Sequence, residues 1–169
     1  MSAEHIHPFI RSLARTFQTM LQCEVSLGKL WSHAERAPLY DVTAVIGMTG
    51  KATGTVVVSF SQSLALKAAA TMLLTETHEI DADVIDAVGE LTNMIAGGAK
   101  AELPQWEMSL STPSMVVGTP HTVRFPSHVH PVCMTLHTAW GPLALEVGLA
   151  IPKTAAQPSN KVLAEPVGR

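Results

Sequence analysis

"YDVTAVIGMTG" (residues 40–50) and "ATGTVVVSF" (residues 52–60) are two β-branched runs separated by a glycine-bounded turn. That pattern predicts a β-hairpin, and the rest of the fold is built outward from it. On its C-terminal side, "LALKAAATMLL" (64–74) is a strong helix-forming run that Ser61 or Ser63 can cap. On its N-terminal side, "EVSLGKLWS" (24–32) alternates like a strand. Before that, Ile6, Ile10, Leu13, Phe17 and Leu21 recur at steps of four, three, four and four, a helical stripe with Pro8 acceptable in its first turn.

A third helix begins near "EIDADVIDAV" (79–88), with acids in its first turn where the macrodipole favours them, and Pro104 stops it. Then come "EMSLSTPSMVVG" (107–118), "PVCMTLHTA" (131–139) and "PLALEVGLAI" (142–151), all strand-like, with Trp140-Gly141-Pro142 as a turn between the last two. The order is helix and three strands, a middle helix, then helix and three strands again. It predicts an α+β fold, an α/β sandwich of helices on a mostly antiparallel sheet, and suggests an internal structural repeat without residue-level identity. Residues 1–151 read as a single domain, and the proline-rich stretch 152–169 as an extended tail.

Composition narrows the function. At 169 residues, 47% of them apolar and 15% charged, the chain can bury a core without staples. It lacks the run of roughly 20 apolar residues that a membrane helix needs. Its start lacks the order of a secretory signal, so a cytoplasmic location is the default expectation. A net charge of −3 without a Lys/Arg cluster argues against nucleic acid or an anionic membrane as main partner. Cys23 and Cys133 form neither a CxxC nor a zinc spacing and read as buried thiols.

The third helix carries the chemistry. At about 100° per residue, Val88, Leu91, Ile95 and Gly98 fall within roughly 40° of Val84, forming a core stripe, with Gly98 expected to pack closely on the sheet. Asp86, Glu90, Asn93, Gly97 and Lys100 fall on the opposite side, at roughly 160–240°. Glu90 and Asn93 are three apart and reach one patch. Gly97 gains nothing from core packing, yet removes a side chain where another backbone could approach. The stripe makes sense as a docking face, although Glu-x-x-Asn alone is a weak motif and most exposed pairs of this kind are simply solvated.

The wording around the pair is more specific. "DAVGELTNMIAGGAKAEL" (86–103) resembles the signature helix of the CheC/CheX/FliY family of bacterial chemotaxis phosphatases, on its CheX side. That pattern is Asp or Ser, three residues, Glu, two residues, Asn and a later Pro. Asp86, Glu90 and Asn93 match in spacing, and Pro113 follows Asn93 after 19 residues, slightly fewer than the usual CheC gap. "HPFIRSLARTFQTML", "AVIGMTGKATGTVVVSFSQSLALKAAATML" and "STPSMVVG" are similar to CheX as well, so the likeness runs from about residue 5 to 151. A CheC would usually carry two Glu-x-x-Asn helices; this chain has one.

The resemblance implies hydrolysis of the aspartyl phosphate on a CheY-like receiver domain. Asn93 would orient the attacking water, and Glu90 would pair with the receiver's active-site lysine. Asp86, Gly97, Lys100 and Pro113 would belong to the partner contact. It implies no cofactor bound by this chain, Mg²⁺ on the receiver, and a homodimer joined through the sheet. The alternative is a non-catalytic receiver-binding module of the same fold. A metal-dependent sensor built on His121, His128, His130 and His137 is weaker, because no carboxylate lies in that cluster and Pro126 and Pro131 bracket the pair His128/His130 in a loop. "GMTGKATG" has the wrong spacing for either phosphate loop and reads as the hairpin turn.

Overall fold

The computed structural model describes residues 5–31 and 38–151. The expected tail, 152–169, lies outside the described residues. Along the chain run α1 (His7–Thr16), β1 (Ser26–Trp31), β2 (Val42–Thr49), β3 (Thr53–Phe60), α2 (Gln62–Leu73), α3 (Ala82–Ala101), β4 (Ser109–Leu110), β5 (Ser114–Val117), β6 (Val132–Thr138) and β7 (Gly141–Ala150). A π-turn, Phe17–Leu21, prolongs α1, and a 3₁₀ turn, Pro104–Trp106, follows α3.

The hairpin forms as expected, with Val42 opposite Phe60 and Met48 opposite Gly54. Around it the strands build an antiparallel sheet ordered β1-β6-β7-β3-β2, with β4 and then β5 both on the outer side of β2. Exchanging β1 with β5, β2 with β6 and β3 with β7 reverses this order into itself. The two halves, α1 through β3 and α3 through β7, are thus related by a two-fold topological pattern, which is the repeat suggested by the element order.

All three helices lie on one face. Phe9, Leu13 and Phe17 from α1 and its π-turn, Leu64 from α2, and Val84, Val88, Leu91 and Ile95 from α3 are fully buried with Val56, Val58, Phe60, Leu143 and Leu145 of the sheet. Burying a side chain of this size stabilises by roughly 1.5–3 kcal/mol, so α3, with four of them, is anchored by its core stripe. The opposite sheet face is closed at Gly148, where Phe125 and Val129 come so close that a side chain at 148 would collide with both. His121 pins the same connection: its Nδ1 lies 2.6 Å from the Gly118 carbonyl and its Nε2 2.8 Å from Thr43 Oγ1.

Three details differ from the sequence reading. The stretch 107–118 is two short strands rather than one. Ser61 occupies the N-cap of α2 without a side-chain cap bond; Asp41 Oδ2, from the start of the hairpin, accepts from Gln62 N–H at 2.8 Å instead. The turn before β7 is Ala139-Trp140, one residue earlier than expected. Cys23 and Cys133 are buried thiols.

Candidate functional site

Helix α3 is held at its start by Asp81, whose carboxylate accepts from Val84 N–H at 3.0 Å, with Asp83 adding charge near the dipole's positive end. Its buried residues include Val84, Val88, Leu91 and Ile95, so the rotational setting of the helix is fixed by the core. Asp86, Glu90 and Asn93 therefore face outward and are exposed. Among the described residues none of their side chains has a hydrogen-bond or ion-pair partner. A carboxylate and an amide one turn apart, both free, can meet a partner without first breaking an internal bond.

The second wall of the site comes from the break between β4 and β5. Leu110 pairs with Met48 and Ser114 with Val45, so three residues, 111–113, stand opposite two, 46–47. The extra residue bulges the edge outward, as bulges at sheet edges do. Ser111 ties the bulge to β2: Gly47 N–H donates to Ser111 Oγ at 2.9 Å, and Ser111 N–H donates to the Gly47 carbonyl at 2.9 Å. Between this rim and α3 lies a groove of about 630 Å³. Asp86, Glu90 and Asn93 line one side and Ser111, Thr112 and Pro113 the other, with Gly89 and Met115 between them.

Of the residues singled out in the sequence, the structure brings Asp86, Glu90, Asn93 and Pro113 together on this groove. Gly97 and Lys100 continue along the helix but do not line it; Lys100 is exposed, and a side chain at 97 would meet nothing within 4 Å. Gly98 departs from expectation: it is exposed rather than part of the buried stripe, and a Cβ there would meet Ser12 of α1, not the sheet. The histidines do not gather, and among the described residues no group of three or more His, Cys, Asp or Glu is placed to hold a metal. No helix among the described residues is long and apolar enough to cross a membrane.

Comparison with known proteins bears directly on this helix. The family model described as chemotaxis phosphatase CheX matches residues 42–137, more than half of the chain, spanning all of α3 and the rim. The chain belongs to the CheX family. A CheY-P phosphatase CheX from Thermotoga maritima is 30% identical over 121 residues, covering 70% of this chain and 78% of that protein. The crystal structure of chemotaxis protein CheX from Vibrio vulnificus superposes with a TM-score of 0.81 at 31% identity, over 88% of this chain and 100% of that one. CheX in the CheX–CheY–BeF₃–Mg²⁺ complex from Borrelia burgdorferi has a TM-score of 0.68 at 19% identity, covering 86% of this chain and 97% of that one, a likeness of fold.

Within the CheX frame, the sequence reading missed the groove's floor and, apart from Pro113, its rim. Gly89 is buried beside Met115 and Pro113, and Ser111 and Thr112 form the rim with Pro113. Gly89 had a signal: at roughly 140° from Val84 it falls between the core stripe and the outer stripe. Ser111 and Thr112 had none, because their place on the rim depends on the register of β4 and β5 against β2.

Proposed function

We propose that this chain hydrolyses the aspartyl phosphate of a CheY-like receiver domain, using the outward face of α3. The observation that carries the reading is the exposed Glu90–Asn93 pair, without a partner among the described residues, beside a groove in a CheX-family chain whose Thermotoga maritima relative is a CheY-P phosphatase. Phosphoryl transfer to water needs positioning and charge stabilisation more than covalent help. An amide can accept from and donate to water without repelling phosphoryl oxygens, which a carboxylate at the same place would do. Asn93 orients the water for in-line attack; the P–O bond to the receiver aspartate breaks, leaving its carboxylate and inorganic phosphate. Glu90 engages the receiver's lysine and anchors the docked helix. Asp86 and Pro113 border the contact, Gly97 clears space for the partner backbone, and Lys100 faces it further along. Mg²⁺ resides on the receiver.

The deciding experiment follows the decay of a phosphorylated CheY-type receiver with Mg²⁺, alone, with this protein and with its Asn93→Ala variant. Faster decay with the native protein and not with the variant is the expected result. Undiminished activity of Asn93→Ala would remove the mechanism. Unchanged decay with detectable binding would favour a non-catalytic receiver-binding module.

The same reading includes a homodimer, in the cytoplasm, joined at the β1 edge. Leu27 pairs with Leu136 and Leu30 with Met134, so a bulge of one residue sets both leucines on the face of those two buried partners. Yet Leu27 is 63% and Leu30 58% exposed, and among the described residues the outer side of β1 pairs with no strand. An apolar open edge of this kind invites pairing with a second copy. Leu30→Lys should shift the particle from dimer to monomer in sedimentation; a monomeric native protein would refute the interface.

A further inference from the structure

Helix α3 contains three glycines, Gly89, Gly97 and Gly98, each a poorer helix former than alanine. Gly98 has a structural reason: a methyl group there would run into the Ser12 side chain across the α1–α3 contact. Gly89 has none of that kind. A methyl at 89 would lie 3.5 Å from Met115 Sδ and 3.9 Å from carbons of Pro113, ordinary packing distances. Alanine would fit and add both helix propensity and contact. What glycine keeps is open space, because Gly89 is a buried residue of the groove lining between α3 and the rim.

The chemistry of the lining limits what can enter. Ile85, Leu110 and Met115 supply apolar surface around Gly89, and all three are only half-buried. The charged groups on the lining are Asp86 and Glu90, with no lysine or arginine among them. Beside Asp86 and Glu90 a carboxylate side chain is disfavoured, whereas an apolar side chain flanked by an amine or backbone N–H donors is complementary. Because Glu90 and Asn93 line the same groove, a partner docked on them reaches its floor without a second binding event. We propose that the part of the groove at Gly89, between Ile85, Leu110 and Met115, is a socket for one aliphatic or aromatic side chain of the receiver, presented beside the lysine that Glu90 engages. This rests on the phosphatase reading above. It makes Gly89 a specificity-determining position rather than a catalytic one.

The test compares wild type, Gly89→Ala, Gly89→Leu and Asn93→Ala on one phosphorylated CheY-type receiver with Mg²⁺, reading kcat and KM separately together with thermal melting. Filling the socket removes binding shared by ground and transition states, so KM rises while kcat stays near wild type. For Gly89→Ala the expected rise is roughly threefold to fivefold, the effect of one displaced methylene-sized contact, with a melting temperature at or above wild type. Gly89→Leu should raise KM further, by roughly tenfold or more. If Leu disturbs folding, the Ala variant decides. A folded Gly89→Ala with unchanged KM overturns the socket. The two readings fail separately: a fully active Asn93→Ala sinks the phosphatase mechanism, whereas an inactive Asn93→Ala beside an unperturbed Gly89 variant sinks the socket alone.

Discussion

Helices α1 and α3 hold corresponding places in the two halves of the sheet pattern, and each buries an apolar stripe on the same core. Their outward faces differ in kind. On α1 the exposed residues include Arg11, Ala14 and Arg15, and Arg11 is bound to Glu102 at the end of α3, its Nε donating to Oε2 at 3.0 Å. On α3 they include Asp86, Glu90 and Asn93, none of them engaged within the described residues. One frame thus carries two surfaces, one whose polar group closes on the molecule itself and one held open. Burial fixes which way a helix faces, and the identities on the free side decide whether that face can do chemistry.

The largest effect expected from breaking this difference is at Asn93. Asn93→Ala gives the outward face of α3 the same lack of a water-orienting group that α1 has. If positioning of the water is the catalytic contribution, receiver dephosphorylation falls by roughly 100-fold or more. Asn93 is exposed and makes no side-chain bond among the described residues, so circular dichroism and thermal melting should stay at wild type and receiver binding should persist. A parallel loss of fold would instead place Asn93 in the structural ledger.

The adjacent glycines of α3 sharpen the comparison, because one touches the other half and its neighbour does not. Gly98→Val must displace Ser12, a buried residue of α1, and should cost about 1–3 kcal/mol in denaturant unfolding, as overpacking does. Gly97→Ala meets nothing within 4 Å and should stabilise the fold by up to about 1 kcal/mol while weakening receiver affinity. A Gly97→Ala protein that gains stability and binds the receiver as well as wild type would show that the open space at 97 serves no partner.

These residues also mark how far sequence reading reaches. The hairpin, the three helices and the setting of α3 were legible because they follow from local periodicity: Val84, Val88, Leu91 and Ile95 are fully buried where a 100° step places them. The Asp86–Glu90–Asn93 spacing and Pro113 were legible through the family pattern. What escaped depends on which distant segment arrives next to a residue. A helical wheel puts Gly98 on the inner side but cannot say that Ser12 rather than a strand lies against it. It puts Gly89 at a margin without revealing Met115 opposite. The rim at 111–113 exists because β2 is two residues long where the edge strand is three, and the cap of α2 comes from Asp41, twenty-one positions from Gln62.

The smallest expected effect concerns the Arg11–Glu102 ion pair that links the two helices. Arg11 and Glu102 lie on the surface, their side chains 58% and 30% exposed, so water and salt compete for both charges. Exposed pairs of this geometry contribute roughly 0–1 kcal/mol, since the Coulomb gain is offset by fixing two long side chains. Arg11→Ala should therefore change unfolding free energy by less than about 1 kcal/mol, and the change should shrink further as salt is raised. Receiver dephosphorylation should be unaltered, because the Arg11–Glu102 pair is not part of the groove lining. A clear loss of turnover with unchanged stability would mean that the receiver spans both helices, and that the outward faces of the two halves work together rather than apart.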